Sequence, residues 1–374
     1  MGGAETAHDI SFGKGRAKDI TQFRCPGGPV ILEKKNFGSV MQELFVTADD
    51  RTGSLEVGGI IANAQFPVPV GPAAQGDICA VVDIASRHVT PEVARQRVLD
   101  VHQIESRYRC HKMDAGLRGN WPHEIMALNE LGYSVAVIPS FPDAGRRCKD
   151  GVVYIHDVPV LEGPFGQDPL TAPCSSRPDE VMEEAGCTGG DVVIWDANDN
   201  AELEQAISRC RAENKMLVGP TGAIGAYADT VFPNLASRQV PIENPVLIVC
   251  GSLNAHSRDQ ISRLSCPVYG LDDVIQVESL SILASPLRSG EVSNEEAESV
   301  AEALADKVSD IEVRTLFVIG GDTAGAIVGD ETLDVLGTVA PGIPISRFRD
   351  GLLVTKGGGI GTPDILVNLL GGPE

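Results

Sequence analysis

The densest chemistry in the chain begins at Ala48-Asp49-Asp50-Arg51-Thr52-Gly53. Two adjacent carboxylates can hold hydroxyls, bind a metal ion or accept a proton, and a helix opened by Thr52 and Gly53 would offer backbone amides to an anion. The same residues also make an ordinary solvated loop with a helix cap. A second cluster, Asp83-Ile84-Ala85-Ser86-Arg87-His88, supplies a guanidinium that can grip a carboxylate in two-pronged fashion or form a plain surface ion pair. The third, Lys112-Met113-Asp114-Ala115-Gly116-Leu117-Arg118-Gly119-Asn120, sets two cations, an acid and an amide around two glycines, which suits a small polyhydroxy acid. Phe141-Pro142-Asp143-Ala144-Gly145-Arg146 adds a further cation, Arg146.

The second half has a different chemistry, rich in glycine and hydroxyls. Val249-Cys250-Gly251-Ser252, Gly320-Gly321-Asp322-Thr323-Ala324-Gly325-Ala326 and Lys356-Gly357-Gly358-Gly359-Ile360-Gly361-Thr362 each offer backbone N–H groups that could approach phosphate closely. None matches the Gly-x-x-x-x-Gly-Lys-Ser/Thr loop, and no Gly-x-Gly-x-x-Gly follows the first strand of either half. His123, His156 and His256 are scattered without metal-ligand spacing, so no metal site is expected from the protein alone. Cys250 reads as a buried strand residue.

These loops need elements to hold them, and each follows a short apolar run. Strands are predicted over 44–47, 78–84, 134–138, 191–195 and 215–218, with helices over 55–62 and 91–108, the latter capped by Thr90 with Pro91 at its first position. After Pro241 to Pro245 a second series follows: strands over 246–250, 274–277 and 315–319, and helices over 257–264 and 295–308. Strands separated by helices imply parallel pairing with helices on both faces. The predicted fold is α/β, with two domains, each a mostly parallel sheet flanked by helices, and the active site in the interdomain cleft. The boundaries are an N-terminal extension over 1–40, a first domain over 41–238 and a second over 239–374, with 234–244 as the connection.

At 374 residues, 43% hydrophobic and 22% charged, the chain can bury a sizeable core, and its apolar runs fall short of the ~20 residues of a membrane helix. Thirty Lys plus Arg against 52 Asp plus Glu, a net charge of −22, excludes sequence-independent binding to nucleic acid, and 5% aromatic residues tell against base stacking. Nine widely spaced cysteines without Cys-x-x-Cys read as free thiols. The first 40 residues hold no apolar segment that could serve as a signal peptide. A cytoplasmic monomer or small oligomer, a homodimer included, is expected, with no membrane partner.

In their order along the chain, the motifs resemble those of the four-carbon acid sugar kinase family, whose members phosphorylate tetronates and related keto acids with ATP. Ala48 to Gly53 resembles its Ala-Asp-Asp-x-Thr-Gly, Ser86-Arg87 its Ser-Arg, Lys112 to Asn120 its Lys-x-Asp-Ser-Thr-Leu-Arg-Gly-Asn, and Pro142 to Arg146 its Pro-x-Ala-Gly-Arg region. Asp168-Pro169-Leu170, Gly251-Ser252, Gly320 to Gly325, Ala340-Pro341-Gly342-Ile343-Pro344 and Lys356 to Gly361 follow in the expected order. The resemblance implies a first domain that binds the acid sugar, with Asp49, Asp50, Arg87, Lys112, Asp114, Arg118 and Asn120 near it and Arg146 in the cleft. It implies a second domain that binds ATP near Ser252, Gly320, Gly321, Thr323, Gly325, Gly358 and Gly361. Phosphoryl transfer then calls for cations, Mg²⁺ and a base, which the resemblance assigns to Asp50 or Asp49.

Two departures stand out. Asp114-Ala115-Gly116 replaces Asp-Ser-Thr and loses two hydroxyls, and Lys-Gly-Gly-Gly-Ile-Gly replaces Lys-Ser-Gly-Asn-Phe-Gly at 356–361. The expected activity is ATP-dependent phosphorylation of a hydroxyl on a small, four-carbon sugar acid. A non-catalytic, ligand-binding relative is the alternative that these departures motivate, and a nicotinamide-dependent oxidoreductase is weakened by the missing fingerprint. Because the chain is acidic overall and both ligands are anions, the few cations Arg87, Lys112, Arg118 and Arg146 should gather in the cleft.

Overall fold

A computed structural model describes residues 42–371 except 64–65, 169–170, 233–235, 237 and 287–293, together with a separate antiparallel hairpin of Ile20–Cys25 and Gly28–Glu33. The rest of the expected extension over 1–40, Pro169-Leu170, and part of the expected connection over 234–244 lie outside the described residues.

The architecture is α/β, built on one continuous 14-stranded sheet. From one edge the order is Val192–Ile194, Val135–Val137, Met216–Gly219, Ser106–Lys112, Gln42–Ala48, Cys79–Asp83 and Val68–Gly71, all parallel where they pair. It continues antiparallel through Leu333–Ala340, Ile343–Phe348 and Gly351–Lys356, then parallel through Thr315–Ile319, Val246–Cys250, Leu280–Ala284 and Val268–Tyr269. Runs such as Val-Leu-Ile-Val-Cys at 246–250 are buried throughout, as expected of parallel strands covered on both faces.

The two mostly parallel halves expected from the sequence are joined in this one sheet. Val68–Gly71 pairs in parallel with Cys79–Asp83 on one side and antiparallel with Leu333–Ala340 on the other, fusing the halves edge to edge. The helix Arg51–Ile61 packs across this seam. Gly58 and Gly59 permit the approach: a Cβ on Gly58 would lie 3.0 Å from Val335 Cγ2, and one on Gly59 3.0 Å from Pro344 Cβ.

Two local expectations fail. The helix from Pro91 ends at Val101, and Ser106–Lys112 is instead a strand next to Gln42–Ala48. Its charged residues are accommodated by aromatic faces, with the Arg109 guanidinium 5.8 Å from the Phe45 ring centre and 5.7 Å from that of Tyr133. Residues 274–277 form no strand, and Val274 is 82% exposed; the strand is Leu280–Ala284, which pairs with Val246–Cys250.

Candidate active site

Register brings distant motifs together. Ala48 pairs with Asp83 on one side and Lys112 on the other, and Lys112 with Gly219, so four parallel strands end at one level. Their loops deliver Asp49 and Asp50, Ser86 and Arg87, Lys112 to Arg118, and Thr221 to the same edge. The amides of Ser86 and Arg87 both donate to the Asp49 carbonyl, at 2.9 and 3.1 Å, which ties the first two loops together.

The charged side chains form one network. Arg87 donates from Nε to Asp49 Oδ2 at 2.8 Å and from Nη2 to Asp49 Oδ1 at 3.0 Å and Asp50 Oδ1 at 2.7 Å, and lies 3.5 Å from Asp114 Oδ1. Lys112 Nζ bridges Asp49 Oδ1 and Asp50 Oδ1, 3.1 Å from each. Arg118 grips Asp114 through Nε and Nη2, both at 2.9 Å, reaches Asp168 at 2.7 Å and stacks 4.8 Å from the Phe165 ring centre. Burial would raise the Asp50 and Asp114 carboxyls, but Arg87 with Lys112 in one case, and Arg87 with Arg118 in the other, hold both well below the usual carboxylate range. Burial also opposes the charge on Lys112, yet Asp49 and Asp50 raise it above its ordinary value.

This arrangement sharpens what the sequence suggested. Three of the four expected cations are already neutralised by Asp49, Asp50, Asp114 and Asp168. Arg146 forms no ion pair among the described residues, and its Nε is buried without a hydrogen-bond partner. Asp49 is 1% exposed and sits beneath the cleft wall rather than on it. Asn120 spends its amide on the Ser86 and Val89 carbonyls, at 2.7 and 2.8 Å, and braces the loop away from the cleft. Gly116 makes room for Phe165, since a Cβ there would collide with the ring; the hydroxyls missing from Ala115-Gly116 give way to an aromatic wall.

The second half repeats the device. Cys250 pairs with Ala284 and Ile319, and Ile319 with Lys356, so Gly251-Ser252, Ser285, Gly320-Gly321 and Gly357-Gly358 emerge side by side. Gly320 has φ 119°, ψ 134°, a conformation that favours glycine, and caps the helix Gly321–Val328 without a side chain, leaving its first amides open. A Cβ on Gly251 would collide with Thr323 Oγ1, and one on Gly358 would sit 2.8 Å from Ser252 Oγ. Ser257 Oγ donates to the Gly358 carbonyl at 2.6 Å, while Gln260 donates to those of Ile360 and Thr362 at 3.1 and 2.9 Å, so the loop over 357–362 is anchored from the helix Ala255–Ser262. Gly325 lies one turn inside its helix, off the cleft wall.

Both sets of loops line one cleft of about 1110 Å³. Its walls include residues beyond the expected site set. Thr52 Oγ1 lies 3.2 Å from where a Cβ on Gly321 would be, so the two halves meet there. Glu56, one helical turn further on, is half-buried and accepts from Thr221 Oγ1 at 3.3 Å; burial raises its pKa. Leu253, Pro286, Ala297 and Val300 supply apolar surface beside the glycine loops. Beneath the wall, Lys356 is 1% exposed and donates to the Gly357 carbonyl at 3.0 Å, and burial pushes its pKa down to about 8. The helical period of Glu56 relative to Thr52 was the one available signal for it.

Comparison with known proteins agrees with this division. Residues 44–218 match a sugar-binding N-terminal domain and residues 284–366 a nucleotide-binding C-terminal domain. A D-threonate kinase of Bordetella bronchiseptica is 27% identical, covering 79% of this chain and 82% of that protein. A D-threonate kinase of Salmonella typhimurium is 23% identical (88% and 97%), and a 3-oxo-tetronate kinase of Methylobacterium radiotolerans 24% identical (86% and 97%). The fold is shared with a solved protein of Salmonella typhimurium LT2, with a TM-score of 0.69 at 17% identity over 87% of this chain and 98% of that one. It is also shared with Haemophilus influenzae protein HI1011, with a TM-score of 0.63 at 18% identity over 88% and 99%. With a sugar-binding domain followed by a nucleotide-binding domain, matched in order over most of its length, the chain belongs to the four-carbon acid sugar kinase family and is a small-molecule sugar acid kinase.

Proposed function

We propose that the protein transfers the γ-phosphoryl group of ATP to a hydroxyl of a four-carbon sugar acid of the threonate or oxo-tetronate type. The observation that carries this reading is a single cleft with an ionic cluster on one wall and open glycine loops on the other, joined where Thr52 adjoins Gly321. The helix start at Gly321 and the close-packed glycine loops at Gly251, Gly320 and Gly358 on the cleft wall fit a polyphosphate, because backbone amides there can reach its oxygens. Leu253, Pro286, Ala297 and Val300 fit the adenine ring. Arg146, which forms no ion pair among the described residues, is suited to the substrate carboxylate.

Among the described residues no three His, Cys, Asp or Glu side chains gather to hold a metal ion. That fits a Mg²⁺ bound mainly by phosphates and water, for which one or two carboxylates suffice; Asp50 and Asp322 face the cleft and would supply them. When bound, the ion would neutralise phosphate charge in an otherwise acidic protein. The described cysteines are all free thiols, in keeping with the cytoplasm, where ATP is available.

ADP release coupled to a fluorescent readout, run over threonates, erythronates and 3-oxo-tetronates, tests the reading. Substrate-dependent turnover with at least one four-carbon acid is expected. No turnover on any of them, together with no calorimetric ATP binding, refutes it. Acid and nucleotide binding without turnover would favour the ligand-binding alternative.

A further inference from the structure

Glu56 and Thr52 are four residues apart on the helix Arg51–Ile61 and share a face. That face meets the glycine loops: Glu56 Oε1 and Thr52 Cγ2 each lie 4.0 Å from where a Cβ on Gly357 would be. The other carboxylate oxygen, Oε2, is engaged by Thr221 Oγ1. The charged groups facing Glu56 are Lys112, Arg146 and, at the head of its own helix, Asp50. Lys112 is held by Asp49 and Asp50, and Glu56 forms no ion pair among the described residues. Oε1 therefore points toward the phosphate loops without a donor on it among those residues.

Asp50 is in the opposite condition. Its Oδ1 accepts from Gly53 N at 3.2 Å, Arg87 Nη2 at 2.7 Å and Lys112 Nζ at 3.1 Å, and the two cations paired with it hold the carboxyl well below the usual range, which makes Asp50 a poor proton acceptor. Asp49 is sealed beneath the cluster. The geometry points to Glu56, rather than Asp50 or Asp49, as the group that takes the proton from the acceptor hydroxyl. The raised pKa of Glu56 supports this, since a base works best when its pKa approaches the working pH.

The assignment rests on the phosphotransfer reading above. In the step, the acceptor oxygen bonds to the γ-phosphorus while the bond from that phosphorus to the β–γ bridging oxygen breaks, and ADP departs with the electron pair. The hydroxyl proton passes to Glu56 Oε1 and is released to water after product leaves. Asp50 and Asp49, with Arg87 and Lys112, then act as a rigid ionic platform that positions the substrate.

The test compares E56Q, E56D and D50N with the wild type. E56Q should lower kcat by about 100-fold or more, and the acid limb of the kcat–pH profile should vanish. KM for the sugar acid and calorimetric affinity for an ATP analogue should stay within about threefold of the wild type, because ground-state binding is untouched. E56D should recover part of kcat. In the ligand-free protein, infrared titration should show a carboxyl that ionises above the ordinary Glu value of about 4.3 and is missing in E56Q. An E56Q variant with kcat within about tenfold of the wild type, or with its acid limb intact, overturns the assignment. If melting shows E56Q unfolded, E56D decides: a displaced acid limb supports Glu56, and an unchanged one overturns it. A D50N variant that alone abolishes the limb also overturns it. Wild-type protein without ATP-dependent turnover overturns the phosphotransfer reading and this assignment together, whereas an active wild type with an active E56Q overturns this assignment alone.

Discussion

Replacing Arg87 with Met keeps most of the side-chain stem and removes the charge that holds the first-half loops together. Arg87 is 8% exposed and reaches Asp49, Asp50 and Asp114. Deleting one partner of a buried charge cluster typically costs about 3–5 kcal/mol, because the remaining charges are left buried and uncompensated. Here Lys112 still bridges Asp49 and Asp50, and Arg118 still grips Asp114, which places the loss near the lower end, about 3 kcal/mol. The sign of the pH dependence follows from the carboxyls. Asp50 and Asp114 are held well below their unfolded value, so in the wild type their contribution is present above about pH 4 and is lost on further acidification. Without Arg87 both carboxyls rise and take up protons at higher pH. The deficit of the variant should therefore be complete at neutral pH and shrink as the pH falls below about 5. Urea unfolding followed by tryptophan fluorescence at about pH 7.5, 6.0, 5.0 and 4.5 measures this. Both tryptophans, Trp121 and Trp195, lie within residues 44–218, which also contain the cluster, so the signal reports that domain. A deficit under about 1 kcal/mol, or one that grows on acidification, would show that Arg87 does not hold the cluster as argued.

Gly320→Ala places a side chain where φ is 119° and 3.2 Å from the Ser252 amide, at the mouth of the helix whose amides face the cleft. A strain of about 1–3 kcal/mol is expected, with ATP affinity falling at least tenfold by calorimetry while sugar acid affinity is unchanged. Asn120→Ala removes two hydrogen bonds to the Ser86 and Val89 carbonyls. It should lower stability by about 1–3 kcal/mol and leave KM for the sugar acid nearly constant, whereas a large KM effect alone would place Asn120 on the substrate. Gly116→Ser would crowd Phe165 and displace it from Arg118, which a substrate panel should register as an altered order of preference among four-carbon acids.

Much of this site is legible in the order of residues along the chain. The first-half acids and cations and the second-half glycines stand directly after apolar runs, and parallel strands deliver such loops to one edge. The strand Ser106–Lys112 is not legible in that way, because its arginines resemble a surface helix until Phe45, Tyr108 and Tyr133 are seen beside them. Nor is the seam at Val68–Gly71, since four residues carry no periodicity and their partner, Leu333–Ala340, lies more than 250 positions away.

The amino-acid sequence by itself determined the class of chemistry: which residues could carry charge, where backbone could approach phosphate, and that both belonged to one alternating α/β chain. Only the tertiary structure decided which charges are available. Asp50 and Glu56 are six positions apart and chemically alike, yet one is bound by Arg87 and Lys112 while the other faces Gly357 without an ion pair among the described residues. Coulomb interaction depends on distance in space, and that distance is set by the register of strands whose loops are tens of residues apart in the chain.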